Sequence, residues 1–457
     1  MAMNIILVIA DTLRMDHLPC YGNRDVIAPH LDAFSQKALI FEDCYASSFP
    51  TVPARADIFT GRFTFTYLNW GPLPQDEITL AQRLSEAGIM TFGVADTPFL
   101  LRSGYGYDRG FKDFLWIRGQ RSGPEREDYL MQRRSEEDYF APRTFKSAIE
   151  WLERHGEESF FLYIDTWDPH EPWDPPEYYV RPYLPGYQGQ VVDPCYWDWR
   201  EDGYSERELE IAHACYCGEI SMVDRWFGIL MERLDSLRLT KNTAMIFTSD
   251  HGFYFGEHGQ FGKRRFRWPD NIPFEEGFSK GLTLSHGSIY RSPLHPEVTR
   301  IPLLMSLPDE PTGRVRGLAT LPDLMPTVLE LAGVEPPDTI QAPSLLPLIR
   351  GKSESPHEII VTSTPLEELG EMTKTVDDHH RKTLEISPST ITDGEWDLLY
   401  ATQGEPIELY HSKSDPRHEL NVARENTQIV ERLHEAFLAF LENQGTAEES
   451  LQPRRLL

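Results

Sequence analysis

Three apolar runs that each finish in an aspartate constrain the fold of this chain most. Ile5–Ala10 leads to Asp11, Phe160–Asp165 closes on its own carboxylate, and Thr243–Ser249 leads to Asp250-His251. A continuous run rich in β-branched and aromatic residues reads as a strand buried on both faces, which belongs in a parallel sheet covered by helices. Ile40–Tyr45 and Met90–Ala95 read as further strands. Pro29–Ala38, Thr79–Ala87, Phe145–Arg154, Glu206–Leu237 and Leu318–Leu331 carry helical spacing, with Gly88 and Gly333 as stops. Alternation of this kind predicts an α/β fold with a mostly parallel sheet between helical layers. Ligands of such sheets sit beyond the carboxyl ends of the strands, so the three aspartates are expected at one edge. Carboxylate oxygen and imidazole nitrogen there suit a hard or borderline divalent ion.

A second constraint is the stretch Ser47–Arg62, SSFPTVPARADIFTGR. Thr51 stands two residues before Pro53 and four before Arg55. Pro53 fixes its own φ and disfavours the α region for Val52, so the loop is restricted around the hydroxyl. Arg55 offers a planar fork of donors to a tetrahedral oxyanion, and a helix is expected from Arg55 onward. Taken alone, the stretch reads equally well as an ordinary loop entering a helix.

The formal charge of −28, from 44 Lys and Arg against 72 Asp and Glu, excludes nucleic acid or an anionic membrane as the main partner. An anionic small-molecule substrate then needs a locally positive site, built from a metal and a few basic side chains. The first apolar run is too short for a signal segment or a membrane span. The five cysteines (Cys20, Cys44, Cys195, Cys215, Cys217) show no paired CxxC spacing and read as small buried residues of a reduced, cytoplasmic protein. Pro172–Gly203, rich in Pro, Tyr and Trp, is expected as an ordered loop over the site. A second insertion near 263–296 carries Lys263-Arg264-Arg265-Phe266-Arg267. Beyond Gly351, short strands at Glu358–Thr364, Thr390–Tyr400 and Ile407–Tyr410 and a helix near Glu425–Gln444 suggest a smaller α+β unit. The expected division is 1–352 and 353–457.

Taken together, Thr51-Val-Pro53-Ala-Arg55…Thr60-Gly61-Arg62, Asp168-Pro-His170-Glu-Pro172, Thr248-Ser-Asp250-His251-Gly252 and Gly256-Glu-His258-Gly259…Lys263 resemble a sulfatase-type member of the alkaline phosphatase superfamily. Asp11-Thr-Leu-Arg-Met-Asp16-His17, Arg300-Ile-Pro-Leu-Leu and Leu409-Tyr-His-Ser-Lys-Ser-Asp415-Pro416 agree with it. The resemblance spans nearly the whole chain. It implies an alkaline phosphatase-like fold with a large mixed sheet, and a metal held by Asp11, Asp250, His251 and Thr51. It also implies Arg55 and Lys263 on the transferring group, and His170 as a substrate contact or general acid. Asn69 and Thr97 resemble pocket-lining positions of phosphonate monoester hydrolases.

Thr51 departs from the sulfatase pattern. Sulfatases carry Cys or Ser there, oxidised to formylglycine, and threonine is not a substrate for that conversion. Branches of the superfamily with Thr at this position act mostly on phosphorus. The chain is therefore expected to hydrolyse phosphodiesters or phosphonate monoesters, with some turnover of sulfate esters. Transfer to an alcohol acceptor and an inactive sulfatase-like binding protein are the alternatives. Thr12, where many sulfatases have a second Asp, favours Mn2+ or Zn2+, with Ca2+ or Mg2+ still compatible. Asp165, Asp168, His170 and the distant His286 lack two-metal spacing, so one ion is expected. The sequence is compatible with a homo-oligomer.

Overall fold

The computed structural model describes residues 3–98, 101, 104–117, 135–267, 288–366, 388–402 and 404–457. Eight strands in these residues form one sheet: β1 (Asn4–Ala10), β2 (Leu39–Tyr45), β3 (Met90–Ala95), β4 (Asp113–Trp116), β5 (Phe160–Thr166), β6 (Thr243–Thr248), β7 (Leu303–Ser306) and β8 (Gly313–Thr320). Their order is β8-β2-β7-β6-β1-β5-β3-β4. All run parallel except β7, which lies antiparallel between β6 and β2. The sheet is mixed and mostly parallel, as expected, with helices on both faces.

Strand periodicity divides the core in two. Ile5, Leu7 and Ile9 of β1 pack with Phe161 and Tyr163 of β5 against α2 (Thr51–Thr60), α3 (Leu80–Glu86) and α6 (Leu324–Ala332). Ile6, Val8 and Ala10 pack with Leu162 and Ile164 against α1 (Pro29–Ser35), α4 (Phe140–His155) and α5 (Glu206–Ser236). The same alternation decides where each strand-end acid points. Asp11 and Asp165 continue the odd-numbered rows and therefore face α2. Asp96, directly after β3, continues the even-numbered row and accepts a hydrogen bond from Thr144 of α4.

Several expectations are corrected. The helix near Arg55 begins at Thr51, with all ten of its residues buried and Val52 inside its first turn. Pro53 sits where an α-helix has no intrahelical partner for the missing N–H, so the first turn tolerates it. Gly61 closes that helix at φ 65°, a left-handed cap that suits glycine. The segment read as one helix over Leu318–Leu331 opens as the end of β8, because Leu318, Ala319 and Thr320 pair with Asp43, Cys44 and Tyr45. Phe145–Arg154 is the inner part of a longer helix that starts at Phe140.

A smaller antiparallel sheet follows, in the order β9 (Ile360–Thr362), β10 (Ser389–Thr392), β11 (Trp396–Tyr400) and β12 (Glu408–His411). The single strand expected over Thr390–Tyr400 is thus two, turned at Asp393-Gly394. Leu433, Phe437 and Leu441 of α7 (Thr427–Asn443) pack with Val361, Ile391 and Leu398 of this sheet. This unit also grips the loop that leads into Thr51. Ser363 N donates to the Ser47 carbonyl at 2.9 Å, and Phe49 N donates to the Ser363 carbonyl at 2.8 Å. The aromatic segment 172–203 is ordered, with Trp173, Tyr187 and Trp199 buried, and Trp197–Asp198 pairs with Gln260–Gly262. Residues 268–287 of the second insertion, including His286, lie outside the described residues.

Candidate active site

Thr51 opens α2 and Arg55 follows one turn later, so both project from one side of the helix toward the ends of β1, β5 and β6. Thr51 Oγ1 lies 3.2 Å from His251 Nε2. His251 Nδ1 is 2.9 Å from the Gly252 carbonyl, which makes Nδ1 the donor and turns the Nε2 lone pair toward Thr51. Burial first, with Lys263 adding to it and Asp250 opposing, pushes the imidazole down to about 3, so it is neutral. Gly252 allows a close approach here: a Cβ would stand 1.9 Å from the Glu297 carbonyl oxygen.

Asp11, Asp250 and His251 are fully buried, and their ligand atoms lie within 4.8 Å of one another. Asp250 Oδ1 accepts from Thr12 N at 3.0 Å, leaving Oδ2 3.3 Å from His251 Nε2. Both atoms face the space that Asp11 also borders, as ligands of one cation would. Neither oxygen of Asp11 accepts a hydrogen bond, although Arg55 Nη1 is 2.9 Å from Oδ2. Burial, with Asp250 alongside, pushes the Asp11 carboxyl well above its ordinary value. Burial also raises Asp250, but Arg55 foremost, with His251 and Lys263, more than reverses this and leaves it below the ordinary range. These donors fit a divalent ion, because orphaned buried carboxylate oxygen is costly unless a cation meets it. Oxygen with one imidazole is the set expected for a hard or borderline metal.

Arg55 is less free than its sequence context implies. Its Nε and Nη2 edge grips Asp165, at 3.1 and 2.7 Å, and Tyr163 and Thr97 donate to the same carboxylate. Asp165, grouped by sequence with the metal carboxylates, therefore anchors the guanidinium. Only Nη1 is left toward the cluster, where it meets Asp11 and Asp250. Thr97 is correspondingly a partner of Asp165, fully buried beneath the site. Asn69 lies beyond a short turn at Thr64–Thr66, and its Oδ1 is buried with no hydrogen-bond partner. Among the described residues, no hydrogen bond joins its Oδ1 to the cluster.

The opposite side of the site is basic. Lys263 Nζ meets His170 Nε2, and both residues are buried. His170 Nδ1 lies 2.7 Å from the Glu171 carbonyl and 3.0 Å from Glu171 Oε2, and the ring stacks on Trp167 at 3.5 Å. Burial, reinforced by Lys263 and opposed by Glu171, lowers the His170 pKa, so the ring accepts from the lysine. Burial alone would raise Glu171, but His170, then Lys263 and the Tyr196 hydroxyl, bring it down to about 2.

Sequence reading overlooked Glu171 and Tyr196 as supports of Lys263. It also overlooked Arg264, whose guanidinium lies 5.7 Å from the centre of the Phe49 ring. Asp57 was missed as well. It accepts from Ser48 N and Oγ and from Thr64 N, fixing the approach to Thr51. An acid nine residues beyond one hydroxyl and seven before another is too common a spacing to single out.

Residues 3–334 match the sequence profile of the sulfatase family. Among curated proteins, an arylsulfatase of Clostridium perfringens (strain 13 / Type A) is 24% identical over 419 residues, covering 78% of this chain and 80% of its own. Human iduronate 2-sulfatase is 25% identical over 401 residues, covering 75% and 71%. Among solved structures, a phosphonate monoester hydrolase of Agrobacterium radiobacter superposes with a TM-score of 0.74 at 19% identity, covering 97% of this chain and 96% of that one. At that identity the superposition speaks for the shared fold alone.

Proposed function

The chain belongs to the sulfatase family of ester hydrolases, and from that premise we propose that it hydrolyses phosphodiesters or phosphonate monoesters with Thr51 as nucleophile. The observation that carries this reading is a buried threonine hydroxyl 3.2 Å from His251 Nε2; the resemblance of its motif to that of the sulfatases supports taking Thr51 in place of their formylglycine precursor. When bound by Asp11, Asp250, His251 and Thr51, a divalent ion supplies Lewis acidity to the hydroxyl and to the substrate oxygens. Mn2+ or Zn2+ suits this donor set.

Thr51 Oγ1, releasing its proton to solvent, attacks phosphorus in line with the departing oxygen. The N-terminus of α2 faces the transferring group, where helix N–H groups favour negative charge. Lys263, steered by His170 and Glu171, meets the leaving oxygen and gives it a proton. Threonine cannot collapse to an aldehyde as a formylglycine hydrate does, so the phosphothreonine must be cleaved by water. A monoanionic ester suits one ion and Lys263 better than a dianion does, because Arg55 is already shared among Asp165, Asp11 and Asp250. The substrate class is thus a small anionic ester, and the proposed compartment is the cytoplasm. Among the described residues, no helix is long and apolar enough to cross a membrane.

The test is turnover of bis-p-nitrophenyl phosphate against p-nitrophenyl sulfate by metal-loaded protein. The diester should be preferred, and the activity should vanish in Thr51→Ala. Preference for the sulfate ester, or turnover indifferent to Thr51→Ala, overturns the assignment.

A further inference from the structure

A cleft of about 1760 Å³ opens beside the outlet of β1. On its wall, three ligand-type side chains from two elements converge. His17 comes from the short turn Met15–His17, and His213 and Cys217 lie four residues apart on α5, hence on one face. Their donor atoms lie within 4.8 Å of one another. His17 Nε2 is 2.8 Å from His213 Nε2, and Cys217 Sγ is 3.8 Å from that same nitrogen. Tetrahedral zinc, from its ordinary bond lengths, needs about 3.3 Å between two nitrogens and about 3.6 Å between nitrogen and sulfur. The pair of rings would have to part by only about half an ångström.

The surroundings orient these donors. Asp16 Oδ1 lies 2.8 Å from His17 Nδ1, so the carboxylate accepts a hydrogen bond from Nδ1–H and leaves the Nε2 lone pair facing His213. Arg14 holds Asp16 through Nε at 2.9 Å and Nη2 at 2.7 Å, and Arg14 Nη1 is itself tied to Glu257 at 2.6 Å. This carboxylate–histidine arrangement is the one that metal-binding histidines ordinarily carry. A thiolate with two imidazoles also differs in kind from the oxygen-rich catalytic cluster, so the two sites select different ions.

We propose that His17, His213 and Cys217 form a second metal site, which takes zinc and leaves its fourth position open to the cleft. On binding, the Cys217 thiol gives its proton to solvent and the sulfur bonds the ion. The site ties the outlet of β1 to α5. Tyr216, within that helical turn, donates to the Thr12 carbonyl at 2.8 Å, one residue from Asp11.

Cobalt titration of the metal-stripped full chain tests this, because only a thiolate ligand gives a sulfur-to-cobalt charge-transfer band. The band should reach the intensity of one thiolate-bound Co2+ per chain and disappear when Zn2+ is added. Cys217→Ser should abolish it, Asp250→Asn should retain it, and Asp16→Asn should weaken Co2+ binding about 10–100-fold. His213→Gln should weaken binding at least as much. A wild-type protein without the band, a band that survives Cys217→Ser, or an unchanged affinity in His213→Gln overturns the proposal.

Discussion

The acidic and basic halves of the candidate active site are built in different ways. Asp11, Asp165 and Asp250 stand at the ends of adjacent parallel strands, and their positions follow from strand register. Lys263, His170 and Glu171 stand on connections between elements, held by one another and by Tyr196. The first half is therefore rigid by backbone, and the second chiefly by side-chain contacts. A substitution in the acidic half should remove a function outright. One in the basic half should weaken it by degrees and disturb its neighbours.

The sharpest break of that contrast comes from Asp250→Asn. It removes a ligand and leaves Arg55 and Asp11 in place, so bound metal and turnover of bis-p-nitrophenyl phosphate should fall together, by about a thousandfold or more in rate. Metal analysis alongside the assay checks it. Lys263→Ala should retain the metal and lose about 10²–10³ in kcat, with a larger loss for poor alkyl leaving groups than for nitrophenol. Equal losses for both leaving groups would move Lys263 from the leaving oxygen to a binding role.

The smallest effect on rate is expected from Glu171→Gln, within about tenfold, since it touches Lys263 only through His170. Its signature lies in stability. The Glu171 carboxyl is depressed to about 2 in the fold, so folding favours its charged form. That contribution is present above the ordinary carboxylate range near pH 4.5 and is lost as the pH falls toward 2. Glu171→Gln should thus unfold more easily at pH 7, by about 1–3 kcal/mol, and lose less stability than wild type on acidification. Denaturant midpoints across that pH range measure both.

The same contrast explains what was legible in the sequence. Asp11, Asp250 and His251 could be read as a cluster because strand ends in a parallel sheet converge by topology. The odd-and-even alternation also contained the fate of Asp96, turned away toward Thr144 on the other face. Asp165 lies in the correct row yet grips Arg55, since a buried guanidinium needs a carboxylate partner. Sequence position does not say which acid supplies it. Nothing local in Glu171 or Tyr196 announces Lys263, because their contacts cross between separate loops. The helix misplaced over Leu318–Leu331 has a similar cause. Pairing of Leu318–Thr320 with β2 outweighs helical spacing, and pairing is a tertiary fact.

The most direct measurement is acid-quenching of the metal-loaded protein during turnover of bis-p-nitrophenyl phosphate, followed by peptide mass spectrometry. A phosphoryl adduct on Thr51, absent in Thr51→Ala and growing when the attack of water is slowed, is the predicted result. An unmodified Thr51 in protein that turns over normally, or an adduct on another residue, would contradict the account.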